Sequence, residues 1–276
     1  MNIREKEDLT MIKLIASDLD GTLLLHGAQT LNPEIFDLIQ KLQEKGILFV
    51  SASGRQIASQ RNLFRPIADE ISYVAENGAV CIYQKEIIAT FAMDKDLAFR
   101  ILDSIKEHPD CLALVSGATT CYIESGNVAF LHHIRDVLHN TTTVVRDFSE
   151  IREPIVKIAF FDGSGTYASL GDFKKRFEKE IKVVTSGNDW IDFVPFGSNK
   201  GNALRILLHK LGILPEEMIA FGDQENDLEM LTLAGTSYAM ATASPEVKKH
   251  ATGVTETVEE VLRKLLASLS TETVPH

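Results

Sequence analysis

LIASDLDGTLL, residues 14–24, sets two carboxylates, Asp18 and Asp20, directly behind a short apolar run. Ile12, Leu14, Ile15 and Ala16 predict a buried strand, and side chains two residues apart on an extended segment share a face. Asp18 and Asp20 are therefore expected to face one site together. In open α/β sheets ligands bind beyond the carboxyl ends of the strands, so an acid pair at a strand end stands where substrates arrive. Gly21 lets the chain turn away behind it. Taken alone, Asp-Gly is a common turn dipeptide. Three further stretches give it weight.

Working outward, Asn32 and Pro33 open a helix whose apolar residues Ile35, Leu38, Ile39 and Leu42 keep helical spacing, and Gly46 closes it. Ile47 to Ala52 is a second strand, so the two strands and the helix make a βαβ unit and imply a parallel sheet. It runs into Ser51-Ala52-Ser53-Gly54-Arg55. A helix from about Gln56 to Phe64 stops at Pro66. Tyr73 to Ala75 predicts a third strand, followed by the turn Glu76-Asn77-Gly78-Ala79 and a further strand, Val80 to Tyr83. From about Gln84 the character changes, with strands expected at 87–92, 111–115, 142–146 and 155–161 and helices interleaved. At Trp190 to Pro195 the chain is expected to return to the first domain. There Phe196-Gly197-Ser198-Asn199-Lys200-Gly201 precedes a helix, and a strand from Met218 to Phe221 ends in Gly222-Asp223-Gln224-Glu225-Asn226-Asp227. A strand from Thr236 to Met240, a helix start at Pro245 and a last helix from Val258 to Leu269 complete the tail, with fraying expected from Ser270 to His276.

The organisation predicted is α/β: a Rossmann-like parallel-sheet core, residues 11–83 and 190–276, split by an inserted α/β cap domain, residues 84–189. Residues 1–10 are polar, precede a second methionine, Met11, and predict a disordered or non-native extension. The length of 276 residues allows two domains with packed cores. With 28 basic against 39 acidic residues the net charge is −11, which argues against nucleic acid or an anionic membrane as partner. The 3 cysteines, Cys81, Cys111 and Cys121, lack any paired metal spacing and predict reduced thiols in a cytoplasmic protein. No apolar run approaches the ~20 residues needed to span a bilayer. The neighbours His132 and His133 point in different directions on a helix, so packing or solvation is expected of them, not a shared metal.

Four loops of the split domain carry chemistry, and three follow a strand at once. Asp18, Asp20 and Asp223 gather oxygen ligands suited to a hard cation such as Mg²⁺, and no histidine or cysteine lies in these loops to favour zinc. Ser53 supplies a hydroxyl and Gly54 an open backbone N–H before a helix start, where anions are favoured. Lys200 adds a positive charge. Acids for a metal, with amides and a lysine for an anion, describe a phosphate site.

In DLDGTL from Asp18, SASGR from Ser51, SNKG from Ser198 and GDQENDLEM from Gly222, the chain resembles the haloacid dehalogenase superfamily, within it the Cof-like phosphatases with a large inserted cap. The likeness extends to the ENGA stretch at Glu76 and covers nearly the whole chain. It implies a Mg²⁺-dependent phosphomonoester hydrolase acting on a small phosphorylated metabolite, a sugar phosphate or a phosphorylated cofactor, through an aspartyl-phosphate. Asp18 would be the nucleophile and Asp20 the general acid and base, with its main-chain carbonyl on the metal. Ser53, Gly54, Lys200 and Asn226 would hold the phosphoryl group, Lys200 also screening Asp18. Asp223 would ligate the metal, and Asp227 would support or join its shell. Ser53 in place of the commoner threonine keeps the hydroxyl, and Gln224 stands where a smaller residue is usual. The cap would select the leaving group. Two other readings are a phosphohexose mutase, which needs a basic cluster in the cap from residues such as Arg135, Arg146 and Arg152, and a non-catalytic phosphometabolite sensor, which would usually have lost one of these acids. The oligomeric state is not legible.

Overall fold

The computed structural model describes residues 12–108, 111–126, 128–137, 140–162, 165, 167–185 and 189–271. The extension expected at residues 1–10 and the end of the tail fall outside them; within them the last helix, Val258–Thr271, continues through Ser270.

The strands, in chain order, are β1 (Leu14–Ser17), β2 (Leu48–Ala52), β3 (Ser72–Ala75), β4 (Val80–Tyr83), β5 (Glu86–Thr90), β6 (Leu112–Gly117), β7 (Cys121–Glu124), β8 (Thr142–Val145), β9 (Ile155–Phe161), β10 (Lys182–Thr185), β11 (Trp190–Val194), β12 (Met218–Gly222), β13 (Thr236–Met240) and β14 (Gly253–Thr255). They form two sheets, in the orders β14-β13-β12-β1-β2-β3-β4-β5 and β10-β11-β9-β6-β7-β8. The described residues divide accordingly into two compact units, one holding those within 12–55, 60–89 and 199–271, the other those within 56–59 and 90–198.

In the first unit β1 lies between β2 and β12 and is parallel to both. All four of its side chains are buried, as a central parallel strand requires. Leu14 and Ile15 each contribute roughly 1.5–3 kcal/mol by leaving water. From β1 the sheet grows through β2 and β3 on one side and through β12, β13 and β14 on the other, so the strand order reverses at β1. That reversal opens a crevice at the carboxyl ends of the neighbouring strands. β3 and β4 form an antiparallel hairpin over the Glu76–Gly78 turn. The helix Glu34–Gln43 buries Ile35, Leu38, Ile39 and Leu42 at helical spacing and packs against Val258–Thr271. The helix Lys200–Leu211 packs on Leu228–Leu233, and only a glycine at 201 permits the approach, since a Cβ there would stand 2.6 Å from the Glu229 carbonyl oxygen.

The second unit is mostly antiparallel, with β7 and β8 its parallel pair. Alternation along β9 sends Ile158 and Phe160 to one face, into a cluster with Ile101, Phe173 and Phe193, and Ala159 to the other, with Phe130 and Cys121. The helix Lys95–Lys106 is capped by Asp94, which accepts from the Asp96 and Leu97 amides. His133 packs on the Phe161 ring, with centroids 6.1 Å apart.

Two strands sit in the other sheet from the one expected. β5 extends the edge of the first sheet, and β11 pairs antiparallel with β9 and β10 in the second, so the chain leaves the first sheet after Thr90 and rejoins it only beyond Val194. Apolar alternation identifies a strand but carries no information about its pairing partner. The strands β7, β10 and β14 go beyond the sequence reading: they are only 4, 4 and 3 residues long. Among the described residues no helix is long and apolar enough to cross a membrane.

Candidate active site

The candidate side chains gather beyond the carboxyl ends of β1, β2 and β12. β1 stops at Ser17, yet the Asp18 N–H still donates to the Phe221 carbonyl at 3.0 Å, which ties Asp18 to β12. Gly21 then adopts φ +86°, and a Cβ there would collide with the Asp223 carboxylate. Glycine at this turn is what lets Asp223 approach.

Lys200 is the first residue of its helix, which Asn199 caps by accepting from the Asn202 amide at 2.7 Å. Its side chain is fully buried and donates to Asp18 Oδ1 at 2.5 Å and to Asp227 Oδ1 at 2.6 Å. Burial alone would lower its pKa, but the Asp18 and Asp227 charges outweigh that and push it up to about 12. Lys200 is therefore a cation at neutral pH. Burial raises the Asp18 carboxyl to about 7, opposed by the Lys200 charge and helped by Asp227. One lysine faces two acids, so the trio is left negative when both are ionised.

Asp223 Oδ1 accepts from the Thr22 hydroxyl at 3.1 Å and Oδ2 from the Gln224 side-chain Nε2 at 3.0 Å. Burial raises its carboxyl above the usual range. Asp227 closes the loop after β12: its Oδ2 accepts from the Asp223 and Gln224 amides at 2.9 and 3.1 Å. A side chain at Gly222 would stand 2.5 Å from the Asp227 Cβ. Carboxylate oxygens of Asp18, Asp223 and Asp227 all lie within 4.8 Å of one another, and all three residues are buried. Only oxygen donors converge there, the excess charge is negative, and the groups bonded to the Asp223 side chain are neutral. These residues fit a hard divalent cation.

Asp20 behaves differently. Its side chain is 55% exposed and its carboxylate lies outside that cluster, held in a fork by Arg55, with Nε to Oδ2 at 2.8 Å and Nη2 to Oδ1 at 2.5 Å. β1 ends at Ser17, before Asp18, so period-two alternation does not by itself set how the two aspartates face. Ser53 follows β2, donates its amide to the Val74 carbonyl at 2.9 Å and accepts the Arg55 N–H on its hydroxyl at 3.2 Å. The next helix begins at Ile57, beyond Gly54. Asn226 donates from Nδ2 to Asn77 Oδ1 at 2.9 Å.

The structure thus brings Asp18, Lys200, Asp223 and Asp227 together and gives Asp20 and Asn226 partners that the sequence does not announce. Thr22, Arg55 and Asn77 are the residues that sequence reasoning missed. Arg55 and Asn77 stand in plain view, in SASGR and ENGA, but Asn77 looks like a turn residue only, and the partners of both come from other loops.

Acids and a buried lysine collected at the carboxyl ends of parallel strands, where the strand order reverses, place the chain among open-sheet α/β proteins. The chain belongs to the haloacid dehalogenase-like hydrolases, whose family model matches residues 15–264. The 5-amino-6-(5-phospho-D-ribitylamino)uracil phosphatase of Escherichia coli is 29% identical over 263 residues, spanning 91% of this chain and 97% of that one. The HMP-PP phosphatase of an Enterobacter species is 25% identical over 240 residues, 86% of this chain and 87% of that one. A crystal structure from Eubacterium rectale is 34% identical, covers 93% of this chain and 99% of that one, and superposes with a TM-score of 0.85.

Proposed function

We propose that this protein is a Mg²⁺-dependent phosphatase that hydrolyses small phosphorylated metabolites through an aspartyl-phosphate on Asp18. The observation that carries the reading is the buried Lys200 bridging Asp18 and Asp227, with Asp223 beside them. Relatives named as phosphatases, one for a phosphorylated ribitylaminouracil and one for HMP-PP, support the substrate class.

Lys200 occupies Asp18 Oδ1, which leaves Oδ2 to attack phosphorus. An Asp18 oxygen–phosphorus bond forms while the bond to the leaving oxygen breaks, and Asp20 gives that oxygen its proton. To do so Asp20 releases one oxygen from the Arg55 fork. Water then attacks the aspartyl-phosphate, Asp20 takes its proton, and Asp18 is regenerated with release of phosphate. Ser53, the Gly54 amide, Lys200 and Asn226 hold the phosphoryl oxygens. Asp18 and Asp223 would hold the metal with the Asp20 carbonyl, and Asp227 would stand behind them. When bound, the metal would supply positive charge to offset that of the phosphoryl group.

The mutase reading needs basic side chains collected in the inserted unit. Arg146 instead pairs with Glu150 at 2.9 Å, and Arg152 donates to the nearby Ser149 carbonyl at 3.4 Å. The test is a panel of phosphorylated metabolites with the purified protein, scored for phosphate release and for isomer formation, with and without chelator. Phosphate release that chelation abolishes and Mg²⁺ restores is expected. Isomer formation without phosphate release, full turnover in excess chelator, or rescue by Zn²⁺ alone would overturn it.

A further inference from the structure

The turn between β3 and β4 holds three successive residues in the left-handed region: Glu76 at φ +49°, Asn77 at +55° and Gly78 at +98°. Such a conformation costs a residue with a Cβ about 1–2 kcal/mol, asparagine least, so a run of three persists only where its surroundings require it. The requirement is visible on three sides. The Asn77 amide donates to the Ser53 carbonyl at 3.1 Å, and the Glu76 amide to the Arg55 carbonyl at 3.2 Å, which ties the turn to the loop carrying Gly54. Gly54 itself lies so close that a Cβ there would stand 2.8 Å from Asn77 Oδ1. Gly78 meets the Asn199–Lys200 backbone, where any side chain would collide. Finally Asn77 Oδ1 accepts from Asn226 Nδ2 at 2.9 Å, across 149 residues of sequence. One turn thus touches the loops that carry Gly54, Lys200 and Asn226.

We infer that Asn77 is a positioning residue for phosphoryl binding: its carboxamide oxygen fixes one N–H of Asn226 and thereby aims the other at the phosphoryl oxygens. A primary amide has two N–H donors on one rigid plane, so engaging the first sets the direction of the second. Asn226 is exposed and its side chain rotates unless held. The left-handed backbone is part of the device, because it turns the Asn77 side chain between Gly54 and Asn226. This rests on the assignment of Asn226 to the phosphoryl group made above.

The experiment is a double-mutant cycle with Asn77→Gly, Asn226→Ala and the pair, reading the inhibition constant of inorganic phosphate against hydrolysis of an aryl phosphate, along with KM and kcat. Glycine accepts the native φ at residue 77 and removes the carboxamide together with its Cβ. Inhibition constants and KM do not depend on what fraction of a sample is folded, so a partly folded variant still gives an answer. Each single change should weaken phosphate inhibition about tenfold, the loss of one hydrogen bond to a charged group, and the pair should be no worse than Asn226→Ala alone. If the two effects multiply, or if Asn77→Gly leaves phosphate inhibition intact while Asn226→Ala weakens it, the positioning role is overturned and the phosphate assignment of Asn226 stands. If Asn226→Ala itself changes nothing, both fall together.

Discussion

Asp18 and Lys200 are 182 residues apart in the chain and 2.5 Å apart in the fold, both buried at the carboxyl end of the central strand. Removing one partner of a buried pair leaves the other charge uncompensated, which costs about 3–5 kcal/mol. In Lys200→Met, Asp18 and Asp227 would face each other with no cation between them. Chemical denaturation at pH 7 should show a loss of that size, and the loss should shrink as pH falls and the Asp18 carboxyl, raised by burial, takes up a proton. Turnover should disappear. A Lys200→Met protein as stable as wild type at pH 7 would mean that the lysine does not balance these acids.

Gly21 is the second point of leverage. Alanine there would have to hold φ +86°, at a cost of about 1–2 kcal/mol, and would drive its Cβ into the Asp223 carboxylate. Displacing a ligand by way of its neighbour typically weakens a metal about 10–100-fold. Gly21→Ala should therefore raise the Mg²⁺ concentration for half-maximal activity by that factor. An unchanged Mg²⁺ titration would remove Asp223 from the metal site.

Arg55 separates function from stability. Its ion pair with Asp20 is partly exposed, at 28% and 55% of the two side chains, and exposed pairs contribute about 0–1 kcal/mol to folding. The fork nevertheless holds the carboxylate proposed to move the proton. Arg55→Ala should leave the unfolding midpoint nearly unchanged while kcat falls tenfold or more. Arg55→Lys, which keeps the charge without the fork, should recover part of it. An undiminished kcat in Arg55→Ala would show that Asp20 needs no such anchor.

Much of this site is legible in the sequence because its parts are local. Asp18 and Asp223 sit within one or two residues of an apolar strand end, and Lys200 stands at a helix start beside a capping asparagine, so short windows of sequence suffice to find them. The parts that escape such windows depend on distant partners. Asn77 looks like a hairpin turn until Asn226 arrives from another loop, and Arg55 looks like surface until Asp20 is seen in its fork. The same limit misplaces β5 and β11: Glu86–Thr90 and Trp190–Val194 are readable as strands, but the sheet each joins is decided by hydrogen bonds to other segments.

The most direct test asks where the phosphoryl group goes. Wild-type protein mixed with a turnover substrate and Mg²⁺, quenched in acid within a single turnover and digested, should carry one phosphoryl group on the peptide containing Asp18. Borohydride treatment should then convert that residue to homoserine. Asp18→Asn, correctly folded, should show neither label nor turnover. A label on any other residue, or wild-type turnover by Asp18→Asn, would contradict the account.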